Sequence, residues 1–389
     1  MMELLWLLLP VAAASGWWAA RQAEAKRSRA AIRRADYFKG LNYLIEDQPD
    51  QAIEIFTRMA DVDRDTADIH LALGNLFRRR GEMDRAIHIH GSLTARTTLT
   101  ADKRRRAMLE LAEDYLRAGL LDRAEALFRE LLDQPAHTRT ALSRLIAIFQ
   151  QEKDWRQAIA YSDRLERVSN EYRGRQIAHF CCELAEEAGA RQEYATAKSW
   201  LQDALARDPG CTRANLLLGR LAMQASDYPA AIIAFQAVER QDQGYFPEVI
   251  APLSECYGAL GWLDRWIAHL REVQQQDHGG QITDALADWL LRQEGETAAL
   301  RFLEQELRDY PTLRGLRRLV EIRLARGEGV AYAELQILHG ISTQLLNSAA
   351  RYRCDNCGFI AKSMRWCCPS CQQWSSIKPI PDRILKTIA

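Results

Sequence analysis

Apolar residues along most of this chain recur three and four apart, and they fall into paired stretches separated by short turns, the pattern of amphipathic helix pairs. The pattern repeats with the chain's own length scale. Tyr43, Ala52 and Phe56 lie three, twelve and sixteen residues after Gly40. The same offsets recur at Gly74, Phe77, Ala86 and His90, and again at Ala112, Tyr115, Ala124 and Phe128. Weaker copies run through Ile146, Phe149 and Ala158, then Ala185, Ala188, Ala197 and Leu201. Two more follow at Gly219, Ala222, Ala231 and Phe235, and at Ser254, Tyr257, Trp266 and Leu270. Each copy predicts two helices around a turn, marked in three cases by Gly81, Gly119 and Gly261. Small residues at the first offset and twelve later let the two helices approach closely, and the large residues fill the gap toward the next unit. One helix pair cannot bury its own apolar face, so neighbouring pairs must stack.

The steps between the lead residues are 34, 38, 34, 39, 34 and 35 residues. A 34-residue period with small loop insertions is that of the tetratricopeptide repeat. The predicted fold class is therefore all-α: a tetratricopeptide-repeat solenoid, expected over residues 21–345. Beyond about residue 275 the pattern frays. The stretch DALADWLLRQEGETAALRFLEQELRDYP reads as a further helix pair and TLRGLRRLVEIRLARGEG as one or two helices. These helices are expected to cap the array and to receive whatever module follows.

Both ends break the pattern. From Leu4 to Ala20 the chain runs seventeen residues without a charge, about 26 Å of helix against a hydrocarbon core of about 30 Å. Trp17 and Trp18 suit the headgroup region, and the basic residues come afterwards, from Arg21 to Arg34. A cleaved signal peptide would place positive charge first, but the only early charge is Glu3. Residues 1–20 are expected to form an uncleaved transmembrane signal anchor, with the remainder on the cytoplasmic side. At the other end, residues 346–389 are expected to form a small module around Cys354-x₂-Cys357 and Cys368-x₂-Cys371. Each pair can offer two thiolates from one tight turn, and two such turns close a tetrahedral site. Gly358 and Pro369 supply the freedom and rigidity those turns need. Cys367 is a spare thiol beside a ligand; the C-x₂-C phase and Pro369 favour Cys368. The four other cysteines, Cys181, Cys182, Cys211 and Cys256, fall in apolar helical segments and read as small buried hydrophobes.

Charge narrows the function. Lysine plus arginine and aspartate plus glutamate both number 52, so there is no overall basic field and nucleic acid is not an expected partner. The clusters Arg78-Arg79-Arg80 and Lys103 to Arg106 are expected at helix ends or loops, as solvated charge favouring helix C-termini. His88 and His90 are two apart and make a poor metal pair. No H-E-x-x-H, G-x-S-x-G or glycine-rich phosphate loop is present, so no catalytic residue is assigned and an enzyme is not expected.

The ordered combination of a short N-terminal span with a basic flank, a tetratricopeptide array and the segment from Tyr352 to Pro379 resembles the lipopolysaccharide assembly protein B family of Gram-negative bacteria. The resemblance covers the whole chain and is most specific in that terminal segment. It implies a rubredoxin-like module whose four metal thiolates are Cys354, Cys357, Cys368 and Cys371, holding one iron or zinc ion; both metals accept four thiolates in tetrahedral geometry. The ten residues between the pairs are fewer than in true rubredoxins. The resemblance also implies an inner-membrane adaptor that promotes degradation of the deacetylase LpxC by the membrane protease FtsH, balancing lipopolysaccharide against phospholipid synthesis. Other lipopolysaccharide assembly proteins belong to the implied partner set, and homodimerisation is left open. The rival reading is a membrane-tethered RNA-binding or redox module built on the metal knuckle.

Overall fold

The computed structural model describes residues 67–275, 279–325, 327 and 332–381, together with residues 17, 18, 21, 38–40, 42, 43, 48, 51, 54 and 55. Among the described residues no helix is long and apolar enough to cross a membrane. The anchor expected over residues 1–20 lies outside the described residues except for Trp17 and Trp18. So does most of the first repeat copy, of which Gly40 and Tyr43 are described and helical.

The chain forms two compact units, residues 1–154 with 167–170, and residues 155–166 with 171–389. The first contains helices α1 (Ala67–Arg79), α2 (Met83–Thr94), α3 (Ala101–Arg117), α4 (Leu121–Leu131) and α5 (Pro135–Glu152). The second holds most of α6 (Trp155–Ser169), then α7 (Gly174–Ala190), α8 (Tyr194–Arg207), α9 (Thr212–Gln224) and α10 (Tyr228–Gln241). A 3₁₀ turn at Gln243–Glu248 leads to α11 (Ile250–Ala259) and α12 (Leu263–Gln274). The helices α13 (Gly280–Gln293), α14 (Glu296–Asp309), α15 (Leu313–Leu324) and α16 (Tyr332–Ser348) complete the helical part. A three-stranded antiparallel sheet follows, with β1 (Tyr352–Cys354) between β2 (Ile360–Ala361) and β3 (Ile377–Pro379). Among the described residues this sheet adds β structure to a mostly helical chain.

The repeat offsets have a direct steric meaning. A Cβ on Gly219 would lie 2.4 Å from the ring of Phe235, and one on Gly74 would lie 2.3 Å from the ring of His90. The large residue sixteen later thus packs on the bare backbone of the lead glycine in its own helix pair. The small residues twelve later, Ala86, Ala124, Ala158, Ala197 and Ala231, are all fully buried.

The turns follow one rule with several residues. In the six copies whose turns are described, the residue seven after the lead position has positive φ: Gly81, Gly119 and Gly261, but also Lys153, Gln192 and Ser226. The next amide then donates back across the turn, as in Glu82 to the Phe77 carbonyl and Asp154 to the Phe149 carbonyl, both 2.9 Å. This is a Schellman end, whose left-handed residue is easiest for glycine. A side chain there costs about 1–2 kcal/mol. Gly119→Ala is therefore expected to destabilise the first unit by about 1 kcal/mol or more, although no atom stands within 4 Å of the new Cβ. Lys153→Gly is expected to be neutral or stabilising, because relief of the left-handed strain offsets the added freedom of the unfolded chain. Urea unfolding of the two variants checks the opposite signs.

His90 occupies the position that Phe128 and Phe235 fill in other copies, and it is wholly buried. Its Nδ1 lies 2.5 Å from Asp114 Oδ2 and its Nε2 lies 3.2 Å from the Leu71 carbonyl. Asp114, also wholly buried, accepts from Arg78 Nη1 at 2.9 Å, and Arg78 Nη2 reaches Glu110 at 2.5 Å. Arg78 is therefore not the solvated helix-end charge expected; it links α1 to α3. Lys103 and Arg106 sit at a helix end, as expected, but at the N-terminal one. They lie in the first turns of α3 and pair with Asp68 of α1, Lys103 at 3.0 Å.

Candidate metal centre

The two C-x₂-C turns are built alike. In the first, the Cys354 amide donates to the Phe359 carbonyl at 2.7 Å and the Gly358 amide donates to the Cys354 carbonyl at 2.9 Å. In the second, the Cys368 amide donates to the Gln373 carbonyl at 3.0 Å and the Gln372 amide donates to the Cys368 carbonyl at 2.8 Å. Each loop closes on a residue of positive φ, Gly358 at 76° and Gln372 at 60°. Strand β1 carries Cys354 into the first turn, and an antiparallel bridge from Cys367 to Trp374 closes the second.

These turns bring the four thiols together. All four Sγ atoms lie within 4.8 Å of one another. Cys354 and Cys371 are 3.7 Å apart, Cys357 and Cys368 3.6 Å. A metal bound to thiolates at about 2.3 Å in tetrahedral geometry spaces its sulfurs about 3.8 Å apart. The cluster therefore fits one tetrathiolate ion, while a disulfide would need about 2.05 Å. Burial opposes ionisation of Cys354, but the Ser376 hydroxyl and the Cys357 and Asn356 amides outweigh it and draw the thiol down to about 6. The Asn356 side chain and the Gln373 amide likewise draw Cys371 down. At Cys354 and Cys371 such donors favour the thiolate form that a metal requires, whereas burial pushes Cys368 up to about 11. Cys367 lies outside the cluster, its sulfur 3.6 Å from the Gln372 carbonyl. Cys181, Cys182 and Cys256, which lie in helices, are buried, and so is Cys211 at the N-cap of α9.

The module has little core of its own. Cys354, Cys368 and Ile377 are buried, with Tyr352, Phe359, Met364 and Cys371 packed around them. Instead it is clamped to the helices of its own unit. Trp374 stacks on His179 of α7 at 4.8 Å between ring centroids and meets Phe180 edge-on at 5.9 Å. Trp366 lies 5.2 Å from Tyr245, whose hydroxyl donates to the Ile377 carbonyl at 3.0 Å. Arg213 of α9 lies 6.0 Å from each tryptophan ring and pairs with Glu183 and Glu186 of α7. Tyr352 donates to Glu248 at 2.8 Å, and Lys378 pairs with Asp242 at 2.9 Å. These contacts run to α7, α9 and the 3₁₀ turn, whereas the sequence pointed to the helices after residue 275. The reason is aromatic complementarity: the two tryptophans find ring partners on the earlier repeats. The tryptophans themselves were visible in sequence, but nothing in the spacing marked His179, Arg213 or Tyr245 as their receivers.

His179 makes this clamp sensitive to pH. Burial, reinforced by the nearby Arg213 charge, pushes its imidazole down to about 3. When the module undocks, the ring returns toward its ordinary value of about 6.5. Above about 6.5 both states are neutral and docking is at full strength. Between about 6.5 and 3 the undocked state binds the extra proton, so docking weakens as pH falls, by up to about 1.4 kcal/mol per pH unit. Tryptophan fluorescence across this range is expected to report the loss, and His179→Gln to remove that part of the slope. An unchanged slope in the variant would assign the pH dependence elsewhere.

Comparison with known proteins agrees with this geometry. The model described as Rubredoxin metal binding domain matches residues 352–379, and the Tetratricopeptide repeat model matches residues 37–98 and 182–246. A protein of Escherichia coli (strain K12) called Lipopolysaccharide assembly protein B is 37% identical over 383 residues, spanning 98% of this chain and 98% of that protein. Its Haemophilus influenzae namesake is 34% identical over 396 residues, spanning 98% of this chain and 99% of its own length.

Proposed function

Because this chain belongs to the lipopolysaccharide assembly protein B family, we propose that it is an adaptor of lipopolysaccharide assembly that delivers the deacetylase LpxC to the membrane protease FtsH. The observation that carries this reading is a helical-repeat surface joined to a clamped four-thiol module, in a chain that aligns end to end with those relatives. Helix-pair repeats hold partners on extended surfaces and need no chemistry of their own. In this reading Cys354, Cys357, Cys368 and Cys371 hold one iron or zinc ion, which supplies a four-way cross-link to a module too small to fold alone. The residues do the remainder: Trp366 and Trp374 lock the module onto α7 and α9, and Arg213 bridges both tryptophans to Glu183 and Glu186. The segment 1–20 anchors the chain in the inner membrane, and Arg21 to Arg34 keep the repeats and the module on the cytoplasmic side. Sharing one membrane with the protease raises the effective concentration of a captured substrate.

The test is the half-life of the deacetylase after translation is blocked. Cells lacking this chain are expected to retain the deacetylase longer, with rescue by the full chain only when the protease is active. A half-life indifferent to the chain would remove the proposal.

A further inference from the structure

A cavity of 370 Å³ lies where the Met364–Cys367 loop of the terminal module faces α7 and α9. Its walls mix two chemistries. Leu216, Leu217, Met364 and Trp366 are apolar, while Arg213, Arg220 and Arg365 bring guanidinium groups. Arg213 is 3% exposed; its Nη2 pairs with Glu183 and Glu186, and its Nε and Nη1 have no hydrogen-bond partner. Arg220 and Arg365 are exposed, and neither pairs with a carboxylate among the described residues. Glu183 and Glu186 share Arg213, while Glu248 accepts from the neutral Tyr352 hydroxyl and keeps its charge. The wall thus carries three carboxylates and three guanidinium groups, and the two guanidinium groups without a carboxylate partner, those of Arg220 and Arg365, sit beside apolar walls.

We propose that this cavity is a docking site for a peptide segment carrying a carboxylate next to an apolar side chain. The guanidinium groups of Arg220 and Arg365 would take the carboxylate in charge-assisted hydrogen bonds, which arginine forms in forked pairs. Leu216, Leu217 and Trp366 would cover the neighbouring apolar group. With two free guanidinium groups among three carboxylates on the wall, the site suits a single carboxylate and not the closely spaced phosphates of a nucleic acid. The site spans both the repeats and the module, so it exists only while the module is docked. That gives the clamp at Trp366 and Trp374 a role in recognition as well as in folding. The inference stands apart from the identity of the partner named above.

The test uses the full metal-loaded chain as bait for a random peptide phage library, followed by binding of synthetic copies of the enriched sequences. Enriched peptides are expected to place Asp or Glu beside Leu, Ile, Met or Phe. Their affinity is expected to fall at least about tenfold, the equivalent of about 1.4 kcal/mol, in the double variant Arg220→Glu/Arg365→Glu. Both positions are exposed, so helicity and metal content should be unchanged. Three outcomes would overturn the proposal: no acidic–apolar enrichment, equal binding to the double variant, or displacement by inorganic phosphate as effective as by free peptide, which would make the cavity a plain anion site.

Discussion

Replacing Cys354 or Cys371 by serine is expected to strip the chain of its metal and unfold residues 352–379 while the helices persist. The reasoning is one of scale. The module buries only Cys354, Cys368 and Ile377 fully, far too little apolar surface for independent stability. A structural tetrathiolate ion contributes on the order of 10–16 kcal/mol, so losing one ligand removes most of what holds the module together. Elemental analysis should read about one ion per wild-type chain and far less in these variants. Far-UV circular dichroism should stay helical, and the fluorescence of Trp366 and Trp374 should shift as their ring partners on α7 and the 3₁₀ turn are lost. Under the proposed function, deacetylase turnover should fail with the metal. Cys367→Ser is the control, since its sulfur stands outside the cluster, and metal content should not change. The reverse sensitivity, with Cys367 essential and Cys371 dispensable, would refute the ligand assignment.

The second large effect is expected far from the metal. Asp114→Ala takes the shared carboxylate from Arg78, which is half-buried, and from His90, which water does not reach. Breaking a buried charge network by removing one partner costs about 3–5 kcal/mol. His90→Phe restores the ring type found at Phe128 and Phe235 and keeps Asp114 bonded to Arg78, so its cost should be smaller, about 1–3 kcal/mol. The double variant should cost less than the sum, because the two residues share one network. Hydrogen exchange of the α1 to α3 amides in the full chain measures all three. A cost below about 1 kcal/mol for Asp114→Ala would show that Arg78 and Glu110 hold the helices without it.

Legibility from sequence was uneven, and the unevenness has a physical pattern. Local rules were readable. The offset of sixteen residues from Gly219 to Phe235 encodes a ring on bare backbone, and the spacing of the four cysteines encodes two identical turns. Where the same backbone conformation was met by a less telling residue, the signal vanished. Lys153, Gln192, Ser226 and Gln372 all adopt the left-handed geometry that Gly81, Gly119 and Gly358 advertise. Arg78 shows the limit for charge: within a triplet of arginines, only its place opposite Asp114 separates a half-buried bridge from its solvated neighbour Arg80.

By itself, then, the sequence determined the helix pairs, their period, the turn positions marked by glycine and the four thiols with their matched loops, because each depends on residues close together along the chain. Only the tertiary structure decided which partners distant residues find. His179 and Ser375 are 196 residues apart yet 2.7 Å in space, and the stack of His179 on Trp374 follows from that meeting. Arg213 could be any helix cation until α7 sets Glu183 and Glu186 against it and the terminal loop lays Trp366 and Trp374 alongside. Periodicity records what one element buries, but which surface buries it depends on shape and charge complementarity between segments that no local pattern connects.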